Sequence, residues 1–174
     1  MRKIIKLILV ALMLLVPTVN YAQKALKFGH INSQEIIQLM PERDSAVNKL
    51  QKFRKELSDT YDGLQAEFQT KYKKFQEDEK TLNDLVRKTR QEELQQMQQR
   101  IQQFQETANQ QIPQKQSELM QPLIEKLKNA ITEVGKEGGF IYIFDIGGNT
   151  NVLFYSAESQ DVSALIKQKL GLKK

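Results

Sequence analysis

The stretch Leu50–Leu85, LQKFRKELSDTYDGLQAEFQTKYKKFQEDEKTLNDL, decides the fold. Two seven-residue registers interleave through it. Val47, Tyr61, Phe68, Phe75 and Leu82 lie on one, and Leu50, Leu57, Leu64 and Leu85 on the other. Apolar residues every 3.5 positions on average are the signature of a coiled-coil seam. Arg54, Lys71 and Asp78 sit on the same seam, so it is a loose one. A second run follows, with Leu94, Ile101 and Ala108 seven apart and Met97 and Phe104 between them. The spacing predicts two long helices between Pro41 and Val134.

A single unbroken helix over that span would be about 140 Å long and would keep the flanking segments apart. A hairpin brings them together, with arms of about 40 residues reaching roughly 60 Å. No Gly or Pro stands between Gly63 and Pro113. The turn must therefore use ordinary polar residues, and Asn83–Arg90, near the midpoint, is expected to form it. Pro113 and Pro122 fall inside the returning helix, where each removes one backbone hydrogen bond, so they are candidate hinges or fixed bends. Between Gln91 and Gln116, 12 of 26 residues are Gln. The interleaved Leu94, Met97, Ile101 and Phe104 argue for helix there over a disordered Gln-rich tract.

The flanks read differently. Leu26–Ile31 alternates as a strand. Asn32 and Glu35 are spaced as a capping box for a short helix over Gln34–Met40, ended by Pro41, which itself suits the first position of the next helix. After Gly135, Gly138 and Gly139 the period changes. Phe140–Ile146 reads as a buried strand, Gly147-Gly148-Asn149 as a turn with positive φ, and Val152–Tyr155 as a further strand. Asp161 precedes a last helix carrying Val162, Leu165, Ile166 and Leu170 and stopped by Gly171. The expected class is α+β: residues 23–40 and 135–174 make a small β body and residues 41–134 a projecting arm.

Residues 1–22 read as a cleaved export signal. Arg2, Lys3 and Lys6 precede an apolar run from Ile4 to Val16, and Ala22 offers a small residue before the cut. Pro17 interrupts a run already short for a membrane span. The chain holds 26 basic and 21 acidic residues. Without the three signal cations the count is 23 against 21, a net charge of +2. The high pI is thus weak grounds for nucleic-acid binding. With Cys absent, neither a disulfide nor a lipid anchor on Cys is available. The body, about 60 residues, is small for a self-sufficient core, which points to oligomerisation.

No catalytic set can be assembled. His30 is the only histidine and lies in a strand, where a structural role is expected. Glu77-Asp78-Glu79 is a carboxylate run whose neighbours face different directions, hence a solvated face. The expectation is no enzyme, no cofactor and no metal. The arm, Glu42–Glu118, carries 14 basic and 14 acidic residues. Lys71, Lys73 and Lys74 form one basic patch, and Arg87, Lys88 and Arg90 a second near the turn; solvated surface is the plain reading, and attraction to anionic lipid or acidic client segments the sharper one. Phe53, Tyr61, Phe68, Tyr72, Phe75 and Phe104 are the arm aromatics. Most are expected in the seam, and any facing out would offer adaptable apolar contact.

The order of these pieces resembles the Skp (OmpH) family of periplasmic chaperones. The matching segments are Phe28–Ile36, Met40-Pro41-Glu42 opening the arm, Glu118–Lys126 re-entering the body, the Gly139–Asp145 strand and Val162–Leu172. The resemblance implies a homotrimer in which strands of three chains build a small barrel and three helical hairpins surround a cavity. Unfolded outer-membrane proteins would be held there without ATP. Arg87, Lys88 and Arg90 match the family's basic tips by position. A structural coiled-coil spacer or adaptor of the envelope, binding one folded partner, and a binder of anionic membrane surfaces are the alternatives.

Overall fold

The computed structural model describes residues 26–148 and 151–172. The export signal expected over residues 1–22 lies outside them, as does Asn149 of the expected glycine turn. In chain order the elements are β1 (Lys27–Ile31), α1 (Ser33–Leu39), α2 (Pro41–Asp78), α3 (Asp84–Gly138), β2 (Phe140–Asp145), β3 (Gln160–Asp161) and α4 (Ser163–Lys169). The α+β class and the long hairpin are as the sequence predicts.

Local chemistry sets each boundary. Asn32 caps α1 by accepting from the Glu35 N–H at 3.3 Å, and donates its own side-chain amide to the Glu35 carboxylate at 2.7 Å. The cap is therefore a side-chain pair, where a capping box would return to the cap backbone. Met40 leaves helical geometry ahead of Pro41, which occupies the first turn of α2. Gly139, at φ 67°, ends α3 in the left-handed region. At the end of α4, Gly171 adopts φ 69°, its N–H meets the Gln168 carbonyl, and the Leu172 N–H reaches the Lys167 carbonyl at 2.9 Å. This is a Schellman ending.

The turn between the arms falls at residues 79–83, ahead of the expected Asn83–Arg90 and sharing only Asn83 with it. Thr81 donates its hydroxyl to the Asp78 carbonyl at 2.7 Å, and Asn83 caps α3 by accepting from the Val86 N–H at 2.9 Å. Arg87 and Arg90 thus belong to the first turns of α3. The midpoint rule misplaces the turn because the arms are unequal: α2 has 38 residues and α3 has 55. The surplus of α3 is body helix. Leu127, Ala130 and Val134 join Ile31, Ile36, Val162 and Ile166 in the one buried core cluster. α3 runs unbroken through Pro113 and Pro122.

The sheet has the order β2-β1-β3, and both pairings are parallel. Phe28 faces Tyr142, Gly29 faces Ile143 and His30 faces Phe144, with a register irregularity between Lys27 and Phe28 that leaves Ile141 unpaired. Parallel strands need a crossover, and here the whole arm is the crossover from β1 to β2. Two expectations fail. Val152–Tyr155 forms no strand, and the third strand is Gln160–Asp161. The third strand lies instead at the far edge of β1, where it pairs in parallel. Nor is β2 buried: Tyr142 and Phe144 are exposed on the face that no described helix covers, and Ile141, unpaired at the register irregularity, is exposed as well.

Asp145 ties the body together. Its carboxylate accepts from the Ser33 N–H at 3.0 Å, from the Gly147 N–H at 2.9 Å and from the Ser33 hydroxyl. Gly147 is buried against this clasp. A Cβ there would land on the Asn32 side-chain oxygen and 3.1 Å from the Ser33 nitrogen. At the foot of the arm Lys126 of α3 pairs with Glu42 of α2, and Lys169 of α4 bridges Glu137 at 2.7 Å and Glu133 at 3.1 Å of α3.

Gly147→Ala is expected to displace the Asn32 cap and lower stability by about 1–3 kcal/mol, read by urea unfolding. The hydrogen bond from Lys126, aided by its charge, holds the Glu42 carboxyl below its ordinary value of 4.5. A lowered folded-state pKa means that the pair contributes fully above that value and is lost as pH falls through the lower one. Glu42→Gln should therefore cost no more than about 1 kcal/mol at pH 7, the pair being exposed, and nothing once both chains are below the folded value. A pH series of thermal midpoints on the two chains checks this.

Candidate functional site

Two surfaces carry chemistry that the fold itself does not consume: the arm, and the uncovered face of the sheet. In the arm, Leu94 and Ile101 of α3 and Ala46 and Phe75 of α2 are buried. Phe75, 8% exposed, is thereby withdrawn from any contact with another molecule. Phe53, Tyr61, Phe68 and Phe104 are half-buried along the seam. Of the six arm aromatics only Tyr72 is exposed, at 41%, and its ring stacks on Phe68 at 5.8 Å between centroids. The Tyr61 hydroxyl accepts from the Gln65 amide at 3.0 Å. An opening of about 220 Å³ beside Leu57, Tyr61, Phe104 and Ala108 marks the looseness that Arg54 imposes on the seam.

The basic residues near the turn are not equivalent. Arg90 reaches across the hairpin to Asp78 at 2.8 Å. Arg87 donates to the Leu82 carbonyl at 3.1 Å and pairs with Asp84 at 3.3 Å. Both hold the turn. Lys88 is exposed and, among the described residues, has no ion-pair partner. The tip therefore presents far less free positive charge than its sequence suggests. In the other patch Lys71 pairs with Glu67 at 3.5 Å, while Lys73 and Lys74 are exposed.

The sheet presents the second surface. On the side away from the helices, Phe28 stacks on Tyr142 with rings 3° from parallel, and Tyr142 stacks on Phe144. All three are exposed. Beside them Leu153 is 98% and Phe154 83% exposed, around a cavity of about 690 Å³ that also touches Leu26 and Tyr155. None of these residues stood out as a site in the sequence. The signal was available: Phe140-Ile-Tyr-Ile-Phe is apolar on both faces, and among the described residues one face has no cover.

His30 is a structural residue of this face. Its Nδ1 lies 2.9 Å from the Ser159 hydroxyl, and its ring packs on Tyr155 with centroids 4.3 Å apart. Hydrogen bonding from Ser163 chiefly, with help from the charges of His30 and Lys167, holds the Asp161 carboxyl below its ordinary range. Among the described residues no three His, Asp or Glu side chains gather as metal ligands, and no helix is long and apolar enough to cross a membrane.

The arm is paired along a loose seam and rooted in a three-stranded body whose aromatic ladder is exposed. Residues 27–170 match the family described as outer membrane protein (OmpH-like). The chain belongs to the OmpH-like family. Among its relatives, chaperone protein Skp of Vibrio cholerae serotype O1 is 26% identical over 127 residues, covering 72% of this chain and 75% of that protein. Chaperone protein Skp of Yersinia enterocolitica is 23% identical over 146 residues, covering 83% and 87%. At such identity individual arm residues of this OmpH-like chain do not transfer from its relatives.

If Arg87 and Arg90 hold the turn, Arg90→Ala and Arg87→Ala should each speed amide hydrogen exchange over residues 78–94. Lys88→Ala should leave it unchanged. Mass spectrometry of exchanged peptides compares the three.

Proposed function

We propose that this chain is an ATP-independent holdase of the periplasm. It would bind unfolded outer-membrane proteins in a cavity between the arms of a homotrimer and keep them from aggregating. The observation that carries the reading is the uncovered face of a wholly parallel sheet. Parallel sheets are normally covered on both faces, and an open aromatic patch on a small body calls for a partner surface. Phe28, Tyr142, Phe144, Leu153 and Phe154 are the residues that association would bury. The number three and the export route are part of the proposal, the latter supported by the signal-like pattern of residues 1–22. The named function of the Skp relatives supplies the chaperone reading.

The physics of holding follows from the arms. α2 projects about 55–60 Å at 1.5 Å per residue, too far to fold back over the body. Three such arms would offer many weak contacts whose joint occupancy exceeds any single affinity. Tyr72 and the half-buried Phe53, Tyr61, Phe68 and Phe104 are the aromatic candidates for client contact, and Pro113 and Pro122 the candidate hinges. No nucleotide site is required, because release follows when the client reaches a better-paired state. The chain would not be an enzyme and would use no cofactor. With Arg87 and Arg90 occupied at the turn, electrostatic steering and adhesion to anionic membranes are secondary.

Light scattering of a urea-diluted outer-membrane β-barrel protein, with and without residues 23–174, tests the reading alongside the chain's own mass in solution. Suppression at about one trimer per client is expected. A trimer without suppression would favour the envelope spacer or adaptor. Leu153→Asp with Phe154→Asp should reduce the mass to that of a monomer, and suppression should fall with it.

A further inference from the structure

The upper part of α3 has a surface that the coiled-coil seam does not explain. All twelve glutamines between Gln91 and Gln116 are exposed. Among the described residues, glutamine side chains of the arm and its foot form hydrogen bonds only at Gln65, to Tyr61, and at Gln121, to Glu125, both outside this tract. Leu94, Met97, Ile101 and Phe104 take the seam, and amides fill most of the rest of the helix surface. Only Glu92, Glu93, Arg100, Glu106 and Lys115 are charged there. By contrast α2 carries eight acidic and eight basic residues. One helix of the arm is zwitterionic and its neighbour is lined with neutral amides.

Helix formation does not demand this. Lys, Arg and Glu are equally good helix formers and add stabilising pairs at four-residue spacing. What Gln adds is a primary amide, with two N–H donors and a carbonyl acceptor and no charge. That is the chemistry of the peptide group itself. A surface of free amides complements a chain whose own N–H and C=O groups are unpaired, whatever its side chains are.

We propose that the exposed glutamines of α3 between Gln91 and Gln116 are a client-contact surface that hydrogen-bonds to the main chain of unfolded polypeptide. The proposal rests on the holdase reading and names what the arm recognises: peptide groups, not charge or a sequence motif. Each bond is weak in water, because it replaces bonds to solvent. The tract is about 40 Å long, so many can form on one client, and several arms can share it. Uncharged partners are not screened by salt. Release needs no fuel, since a client closed into a barrel has its main-chain groups paired internally and offers none to the arm.

The test is retention of a fluorescent, urea-denatured outer-membrane β-barrel protein by residues 23–174. The first variant changes Gln95, Gln98, Gln99, Gln102, Gln103 and Gln105 to Ala. Alanine favours helix, so circular dichroism and mass should match the unaltered chain. Affinity should fall about tenfold or more, the combined effect of several weak bonds. The unaltered chain's affinity should change less than about threefold between about 50 and 500 mM salt. The second measurement needs no variant: a soluble strand peptide is compared with the same peptide N-methylated at alternate backbone nitrogens, which should bind the unaltered chain more weakly. Equal binding by the alanine variant, equal binding of the methylated peptide, or a steep salt dependence would overturn the amide proposal while aggregation suppression by the unaltered chain stood. If the unaltered chain retains no denatured client, the holdase reading fails, and this proposal with it.

Discussion

Everything in this molecule depends on the parallel pairing of β1 with β2 across the whole arm. Ser33 and Asp145, which seal that pairing, are 112 residues apart in the chain. Closing so long a segment as free coil would carry a large entropy cost before any contact compensated it. The hairpin removes most of that cost. Once α2 and α3 lie side by side, Met40 and Val134 are brought to the same end, and β1 needs only a short helix between it and the arm. The seam is thus a folding device for the body as well as a functional projection. The ion pair of Glu42 and Lys126 stands where the two roles meet.

The arm was the most legible part of the sequence, because a heptad repeat reports its own geometry. Val47, Leu50, Leu57, Leu94 and Ile101 are enough to recognise it. The punctuation was legible too: Asn32, Pro41, Gly139 and Gly171 each act through local backbone chemistry that needs no knowledge of the rest. The turn was misjudged because its position was inferred from symmetry, and α3 is longer by the turns that carry Leu127, Ala130 and Val134 into the core. The better signal was Asn83 followed by Asp84, a cap and an acidic first turn.

The sheet was less legible because strand direction is not a local property. Val152–Tyr155 has strand composition and follows a glycine turn, so a hairpin is the natural reading. Yet β1 already pairs in parallel with β2, and the open side of β1 is taken by Gln160–Asp161. What remains of Val152–Tyr155 is an apolar segment that touches the sheet through Tyr155 on His30 and leaves Leu153 and Phe154 exposed among the described residues. The same cause makes Phe140–Ile146 look buried on both faces while the described residues cover one. Apolar composition alone does not say whether a segment is covered, so both segments read as strands and the first as buried. The aromatic ladder Phe28–Tyr142–Phe144 was therefore invisible as a site, although each of its residues had been read as part of a strand.

The charge pattern bears on what kind of surface the arm presents. A strongly basic tip would bind tightly and selectively, and salt would govern it. Here Arg87 and Arg90 are spent on the turn, and the arm's charges balance. Outward on α3 between Gln91 and Gln116, twelve exposed glutamines outnumber the five charged residues, and each amide can both donate and accept. Weak, repeated contacts that depend on no client charge are what the holdase proposed above would need in order to release a chain without an energy source.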